Sequence, residues 1–293
     1  MKILDGKNLS EIIKDNLKKE VDKLREKGIK PPHLIAIIVG EDRASQTYVR
    51  SKIKACETIG YKSSTITFDN FITEKQLINK VNELNEDDDV DGFIVQLPLP
   101  NHISVNKVIE SINPEKDVDG FHPMNIGKMV KNIPTLLPVT PKGILEIFKY
   151  YNIETSGKNC VVVGRSQIVG TPMSILLSRK NSLGNATVTM VHSRTKNIKE
   201  ICKTADIIIA AIGKAKFITE DMVKKGAVII DVGINAIDDS TKKKGYRLVG
   251  DVDFENVADK CSYITPVPKG VGPMTIAALL QNTLIAAKNR RKF

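Results

Sequence analysis

The feature that most constrains this chain is an alternation of short apolar runs and amphipathic stretches, punctuated by glycine and proline, along most of its 293 residues. Apolar runs of this length followed by a helical period are met when parallel strands are joined by helical crossovers, which places the chain in the α/β class. In the first half, His33–Val39 reads as a buried strand ended by Gly40, and Asp42 is an N-cap for a helix to Ile59 that Gly60 terminates. Tyr61–Phe68 alternates like a strand, Thr73 opens an amphipathic helix, and Val90–Leu97 is a strand stopped by Pro98-Leu99-Pro100 before a helix over Ser104–Ile112. The second half restarts with strands at Asn159–Val163, Ala186–Val191, Asp206–Ala210 and Ala227–Val232, with a helix near Val169–Arg179. A hairpin-like excursion through Lys242-Lys243-Lys244 returns at Leu248–Val252, and a last helix runs from Pro273 to Ala287.

Between Asn113 and Pro141 the periodicity breaks and prolines accumulate, so a long functional crossover is expected there, followed by a helix over Pro141–Tyr151. At about 150 residues per domain the length suggests two domains. The expected division is 1–140 plus 273–293 for the first and 141–272 for the second, with the last helix packing back on the first. Four cysteines tens of residues apart form neither a zinc pattern nor a disulfide framework, which predicts a reduced, cytoplasmic protein. No apolar run reaches the roughly 18–20 residues that span a bilayer, and the N-terminus lacks the apolar core of a secretory signal. The net charge of +10 favours acidic partners, whether nucleic acid, phosphorylated cofactors or polycarboxylate substrates. Nucleic acid finds little support, because there is no Trp and no basic-aromatic alternation, and the basic runs lack a recognition-helix context.

The segment from Lys158 to Gly170 is strand, glycine turn and helix, the arrangement that presents free N–H groups to a pyrophosphate. Ser166 stands where the usual fingerprint has its second glycine. The next strand ends in Val191-His192-Ser193-Arg194-Thr195, without the acid that reads an unphosphorylated ribose, which favours NADP over NAD. His192 is read first as a loop-bracing histidine and second as a catalytic one. On the helix after Gly40, Ser45, Tyr48 and Lys52 fall within roughly 60° of one another, beside the apolar stripe of Val49, Ile53 and Cys56. Lys52 there is either a lysine snorkelling over an aromatic ring or a proton-transfer group whose pKa partial burial lowers. Gln96 either points into the crevice at a strand's carboxyl end or satisfies a loop backbone. Asp119, before Gly120, is either a turn residue or a carboxylate for a ring amidine or amine, and Pro266–Thr275 is a stiff loop whose amides can approach a ligand.

Taken together, these segments resemble the bifunctional methylenetetrahydrofolate dehydrogenase/cyclohydrolase family essentially end to end. The resemblance is carried by Tyr48-x-x-x-Lys52, Val95-Gln96-Leu97-Pro98-Leu99-Pro100, Lys116-Asp117-Val118-Asp119-Gly120 and Pro138-Val139-Thr140-Pro141. Gly164-Arg165-Ser166, His192-Ser193-Arg194-Thr195, Asp231-Val232-Gly233-Ile234-Asn235, Gly250-Asp251-Val252 and Gly272-Pro273-Met274-Thr275 extend it. Val139 and Lys269 stand where the family commonly has Cys and Gly. The resemblance implies two α/β domains, the second Rossmann-like, with a folate cleft between them. It also implies NADP-dependent oxidation of 5,10-methylenetetrahydrofolate and hydrolysis of the methenyl product to 10-formyltetrahydrofolate, without a metal. The implied catalytic residues are Lys52, Gln96, Tyr48 and Asp119, with Gly164, Arg165, Ser166, Ser193 and Ile234 lining the cofactor. The implied partners are tetrahydrofolates, polyglutamylated ones included, and a second copy of the chain in a homodimer. Other readings are a family member with one of the two activities and a two-domain NADP-dependent hydroxy-acid dehydrogenase. Lys269 is expected to be tolerated because Gly270 beside it can take any positive φ the loop needs.

Overall fold

The computed structural model describes residues 1–242 and 245–293, so Lys243 and Lys244 of the lysine triplet lie outside the described residues. In chain order, β1 (Lys2–Ile3) and α1 (Gly6–Glu26) precede the first expected strand, β2 (His33–Val39). Leu9, Ile13, Leu17, Val21 and Leu24 recur every three or four residues and are buried, which is the amphipathic stripe that makes α1 a helix. Next come α2 (Arg43–Ile59), β3 (Lys62–Phe68), α3 (Glu74–Glu86), β4 (Gly92–Val95) and α4 (Val105–Ser111). The expected caps form. Asp42 accepts the Ser45 N–H at 2.7 Å, Gly60 ends α2 at φ +83°, and Thr73 with Gln76 closes a capping box on α3.

The proline-rich crossover is not structureless. It contains α5 (Pro123–Val130), with His122 as N-cap and Pro123 in the first helical turn, and α6 (Val139–Tyr150) starts two residues before Pro141. Then follow β5 (Asn159–Val163), α7 (Gly170–Ser178), β6 (Thr187–Val191), α8 (Ile198–Lys203), β7 (Ile207–Ala210) and β8 (Val228–Asp231). The antiparallel hairpin β9 (Asn235–Asp238) and β10 (Tyr246–Val249), α9 (Phe254–Val257), β11 (Tyr263–Ile264) and α10 (Val271–Arg291) complete the chain. Among the described residues no helix is long and apolar enough to cross a membrane.

The chain forms two compact units, Met1–Ser10 with Thr140–Thr275, and Glu11–Val139 with Ile276–Phe293. In the first, six parallel strands lie in the order β1-β11-β8-β7-β5-β6. Residues 1–10 therefore group with the sheet unit and not with the first-half domain expected from sequence, with Lys2 and Ile3 pairing with Tyr263 and Ile264. In the other unit three parallel strands run β3-β2-β4 over a core that includes Ile37, Leu77, Val81 and Phe93. Side chains buried to this degree each contribute about 1.5–3 kcal/mol. The end of α10 belongs to this unit. The Tyr61 hydroxyl donates to the Leu280 carbonyl at 3.0 Å, and Asn282 Nδ2 donates to the carbonyls of Val118 and Leu137, both at 2.8 Å.

Candidate active site

The three-stranded unit gathers the residues that sequence singled out in its half. Lys52 is 4% exposed although it is a lysine, because α2 turns its Ser45–Tyr48–Lys52 face inward. Its Nζ donates to Gln96 Oε1 at 3.1 Å and lies 4.8 Å from the centre of the Tyr48 ring. Gln96 is held in turn: its Nε2 donates to the Leu97 carbonyl at 2.7 Å, and its backbone N–H to the Ile37 carbonyl at 2.9 Å. The same Leu97 carbonyl receives the Ser45 hydroxyl at 3.4 Å. Of the two readings for each residue, the structural one is met: Lys52 covers an aromatic ring, and Gln96 satisfies a backbone carbonyl while keeping its amide oxygen on the amine.

Burial lowers the pKa of Lys52, and the charge of Asp119 opposes that shift. At Asp119 burial raises the pKa while Lys52 lowers it, and Asp117 adds to the rise. Asp119 does lie in the turn before Gly120, but the carboxylate that braces this turn is that of Asp117, which accepts the N–H groups of Gly120 at 3.1 Å and His122 at 2.7 Å and the Asn125 amide at 2.9 Å. That leaves the Asp119 carboxylate outside the turn's own hydrogen bonding, with its backbone carbonyl taken by the Val139 N–H at 3.1 Å.

In the six-stranded unit Gly164 ends β5 at φ +126°, and a Cβ there would stand 2.1 Å from the Ala211 carbonyl oxygen. Only glycine fits this turn. A Cβ on Gly170 would meet the Gly164 carbonyl oxygen at 2.2 Å, so both glycines let α7 start hard against the strand end. Ser166 caps that start, its Oγ accepting the N–H groups of Val169 at 3.2 Å and Gly170 at 3.3 Å. Arg165, Ser166, Ser193 and Ile234 are all exposed, available to a ligand. His192 braces its loop: its Nδ1 accepts the Arg194 N–H at 3.2 Å, and its own N–H donates to Thr195 Oγ1 at 2.9 Å.

Ile234 and Leu248 share a recess with the loop Pro266–Pro273. Here the structure reverses an expectation. Lys269 itself takes the left-handed backbone, at φ +86°, and Gly270 does not. Gly270 is needed for space instead, since a Cβ on it would lie 2.4 Å from the Pro266 carbonyl oxygen.

Residues 138–291 match the family model described as Tetrahydrofolate dehydrogenase/cyclohydrolase, NAD(P)-binding domain, and residues 4–119 match that family's catalytic domain. The chain belongs to the tetrahydrofolate dehydrogenase/cyclohydrolase family. A family member from Cytophaga hutchinsonii, Bifunctional protein FolD, is 60% identical over 98% of this chain and 99% of its own. The crystal structure of the bifunctional enzyme FolD from Campylobacter jejuni superposes with a TM-score of 0.93 at 48% identity, covering 99% of both chains. The Trypanosoma brucei methylenetetrahydrofolate dehydrogenase-cyclohydrolase, solved with NADP cofactor and inhibitor, gives a TM-score of 0.93 at 37% identity over 99% of this chain and 98% of that one.

Sequence reasoning places Asp117, Asp231 and Asp251 in motifs without a bracing role in this family member's candidate sites, and it misses Asn282 altogether. Their signal is tertiary. Asp231, for example, accepts the N–H groups of Gly233, Asp251 and Val252 at 2.8–3.1 Å, while burial pushes its carboxyl up to about 7.

Proposed function

We infer that this chain oxidises 5,10-methylenetetrahydrofolate with NADP to the 5,10-methenyl compound and hydrolyses that compound to 10-formyltetrahydrofolate. The observation that carries the reading is the buried Lys52 amine, fixed by Gln96 over the Tyr48 ring and coupled to the Asp119 carboxylate. A lysine in that setting can take a proton from water and return it, which is what hydrolysis of a cationic methenyl carbon needs. Water adds to the carbon as Lys52 accepts its proton. The bond from that carbon to N5 then breaks with a proton delivered to nitrogen, leaving the formyl group on N10 and one proton released overall. Gln96 orients the amine, Tyr48 stacks on the ring system, and Asp119 binds the amino-pyrimidine edge.

The turn of Gly164 and Gly170 suits a dinucleotide, because Gly164 permits the tight turn beside Ala211 and Gly170 lets α7 start against the strand end, with its N-terminus toward a pyrophosphate. When bound, NADP supplies the two-electron acceptor for the oxidation. Arg165 and Ser193 would hold its 2′-phosphate, Gly164 and Ser166 would bind its pyrophosphate, and Ile234 would line the remainder of the site. Residues 11–139 with the end of α10 then serve the folate and the sheet unit serves NADP. Positioning alone is required of the protein in the oxidation, since no side-chain proton moves.

The net charge of +10 suits a polyglutamylated folate. Four free, buried cysteines suit a reducing cytoplasm. Exposed Tyr246 and Leu248 on the β9–β10 hairpin offer apolar area for a second copy in a homodimer. The test is one coupled assay with methylenetetrahydrofolate that follows NADPH and methenyl absorbance together, with NAD in parallel. NADPH formation followed by methenyl decay faster than the spontaneous rate is expected. Reduction without accelerated decay would leave a dehydrogenase alone, and turnover of shikimate-like acids in place of folate would overturn the reading.

A further inference from the structure

Asp251, in the Gly250-Asp251-Val252 segment, is completely buried, and the chemistry above does not use it. Its carboxylate accepts four hydrogen bonds. Oδ2 takes the backbone N–H groups of Ile212 at 2.7 Å and Gly213 at 2.9 Å. Oδ1 takes the Lys214 N–H at 2.9 Å and Asn235 Nδ2 at 3.0 Å. Four donors saturate an ionised carboxylate and fix its orientation. Its own backbone is pinned as well, the Asp251 N–H donating to Asp231 Oδ1 at 2.8 Å.

What this carboxylate holds is specific. The turn Ile212-Gly213-Lys214 continues directly from Ala211, the residue whose carbonyl oxygen would stand 2.1 Å from a Cβ on Gly164. Asn235 directly follows Ile234. One buried anion therefore ties the turn that abuts Gly164 to the residue next to Ile234. We propose that Asp251 is a positioning residue for the dinucleotide, holding the Gly164 and Ile234 turns in register so that NADP affinity depends on it and hydrolysis at Lys52 does not. The inference rests on the functional reading of the preceding subsection.

Asp251→Asn, made in the full-length protein, keeps the size of the side chain but turns one acceptor oxygen into an NH₂ group facing N–H donors. The dissociation constant for NADP, measured by calorimetry, is expected to rise about 10- to 100-fold, and KM for NADP with it. At saturating NADP, kcat should fall less than about threefold, and methenyl hydrolysis should stay within about twofold of wild type. Asn235→Ala removes a single donor and should raise the NADP dissociation constant about threefold with hydrolysis intact; it decides the matter if Asp251→Asn does not fold. Unchanged NADP affinity in a folded Asp251→Asn protein overturns the proposal, as does unchanged affinity in Asn235→Ala when the first variant is unfolded. Loss of hydrolysis in parallel with NADP binding also overturns it, because that pattern marks a general structural role. A wild-type protein that fails to bind NADP, or to hydrolyse the methenyl compound, overturns the functional reading and the proposal with it, so the two failures are told apart by which protein shows them.

Discussion

Burial drives the proton off Lys52, and the carboxylate of Asp119 draws it back. At Asp119 the same two influences act with the roles exchanged: burial favours the neutral acid, and Lys52 favours the anion. Each group is therefore the other's main charged neighbour, and the folate half of the chemistry should be sensitive to either one.

Lys52→Met should lower methenyl hydrolysis by about 10²–10⁴-fold, the usual worth of a general acid–base group. Methionine keeps most of the stem's packing on α2, so the fold and NADP affinity should survive. Gln96→Ala should impair the same step less, because it removes the 3.1 Å bond that orients the amine and leaves the amine itself. Methenyl decay corrected for spontaneous hydrolysis is the measurement, alongside a far-UV spectrum. Near-normal decay from a folded Lys52→Met protein would take Lys52 out of the mechanism.

The pH dependence has a definite sign. If neutral Lys52 accepts the proton of water, kcat for hydrolysis rises with pH as the amine deprotonates, and burial sets that limb below the ordinary lysine range. Asp119→Asn removes the anion that holds the proton on, so the limb should move to lower pH. The profile is read in kcat at saturating folate, since the same substitution should raise KM by removing a substrate contact. A limb that stays in place or moves upward would mean that Asp119 does not set the protonation of Lys52.

Arg165→Ala should raise KM for NADP by about tenfold or more and KM for NAD by much less, tenfold being roughly 1.4 kcal/mol. Steady-state kinetics with both dinucleotides would show this. Equal rises would mean that Arg165 does not read the 2′-phosphate.

Lys269→Gly should stabilise the protein by about 0.5–1 kcal/mol. The left-handed backbone costs a non-glycine residue roughly 1–2 kcal/mol, and the greater freedom of glycine in the unfolded chain returns part of that. Gly270→Ala should destabilise it, because its new methyl would press on the Pro266 carbonyl oxygen. Urea midpoints at constant slope would test both, and a Lys269→Gly midpoint below wild type would refute the strain assignment.

Much of the site's raw material was legible in the sequence because it lies on single elements. Helical geometry alone puts Ser45, Tyr48 and Lys52 on one face, and a strand stopped by proline puts Gln96 at its carboxyl end. What stayed hidden depends on contacts between distant segments. That Lys269 takes the positive φ while Gly270 keeps clear of the Pro266 carbonyl is a matter of tertiary contact that no local pattern encodes. Asp251 lies in a recognisable motif, but its role stays hidden in sequence, because three of its four donors are backbone amides of a turn 37–39 residues away. The two-residue β1 is too short for any period, so its pairing with β11 in the other unit has no signal in the sequence. Two helices were within reach: α1 through its stripe of Leu9, Ile13, Leu17, Val21 and Leu24, and α5 through a histidine cap followed by Pro123, a readable start that the surrounding prolines obscured.

The placement of Asn282 has a consequence for synthesis. Its amide closes the carbonyls of Val118 and Leu137, yet it lies on the far side of the 136 residues Thr140–Thr275 that build the other unit. At 5–20 residues per second, roughly 7–27 s pass between emergence of Val139, where the first stretch of the three-stranded unit ends, and arrival of the helix that completes it. During that time the unit made first cannot finish its core, while the unit made second gathers nearly all its strands. On the ribosome, the half that carries Lys52 matures last.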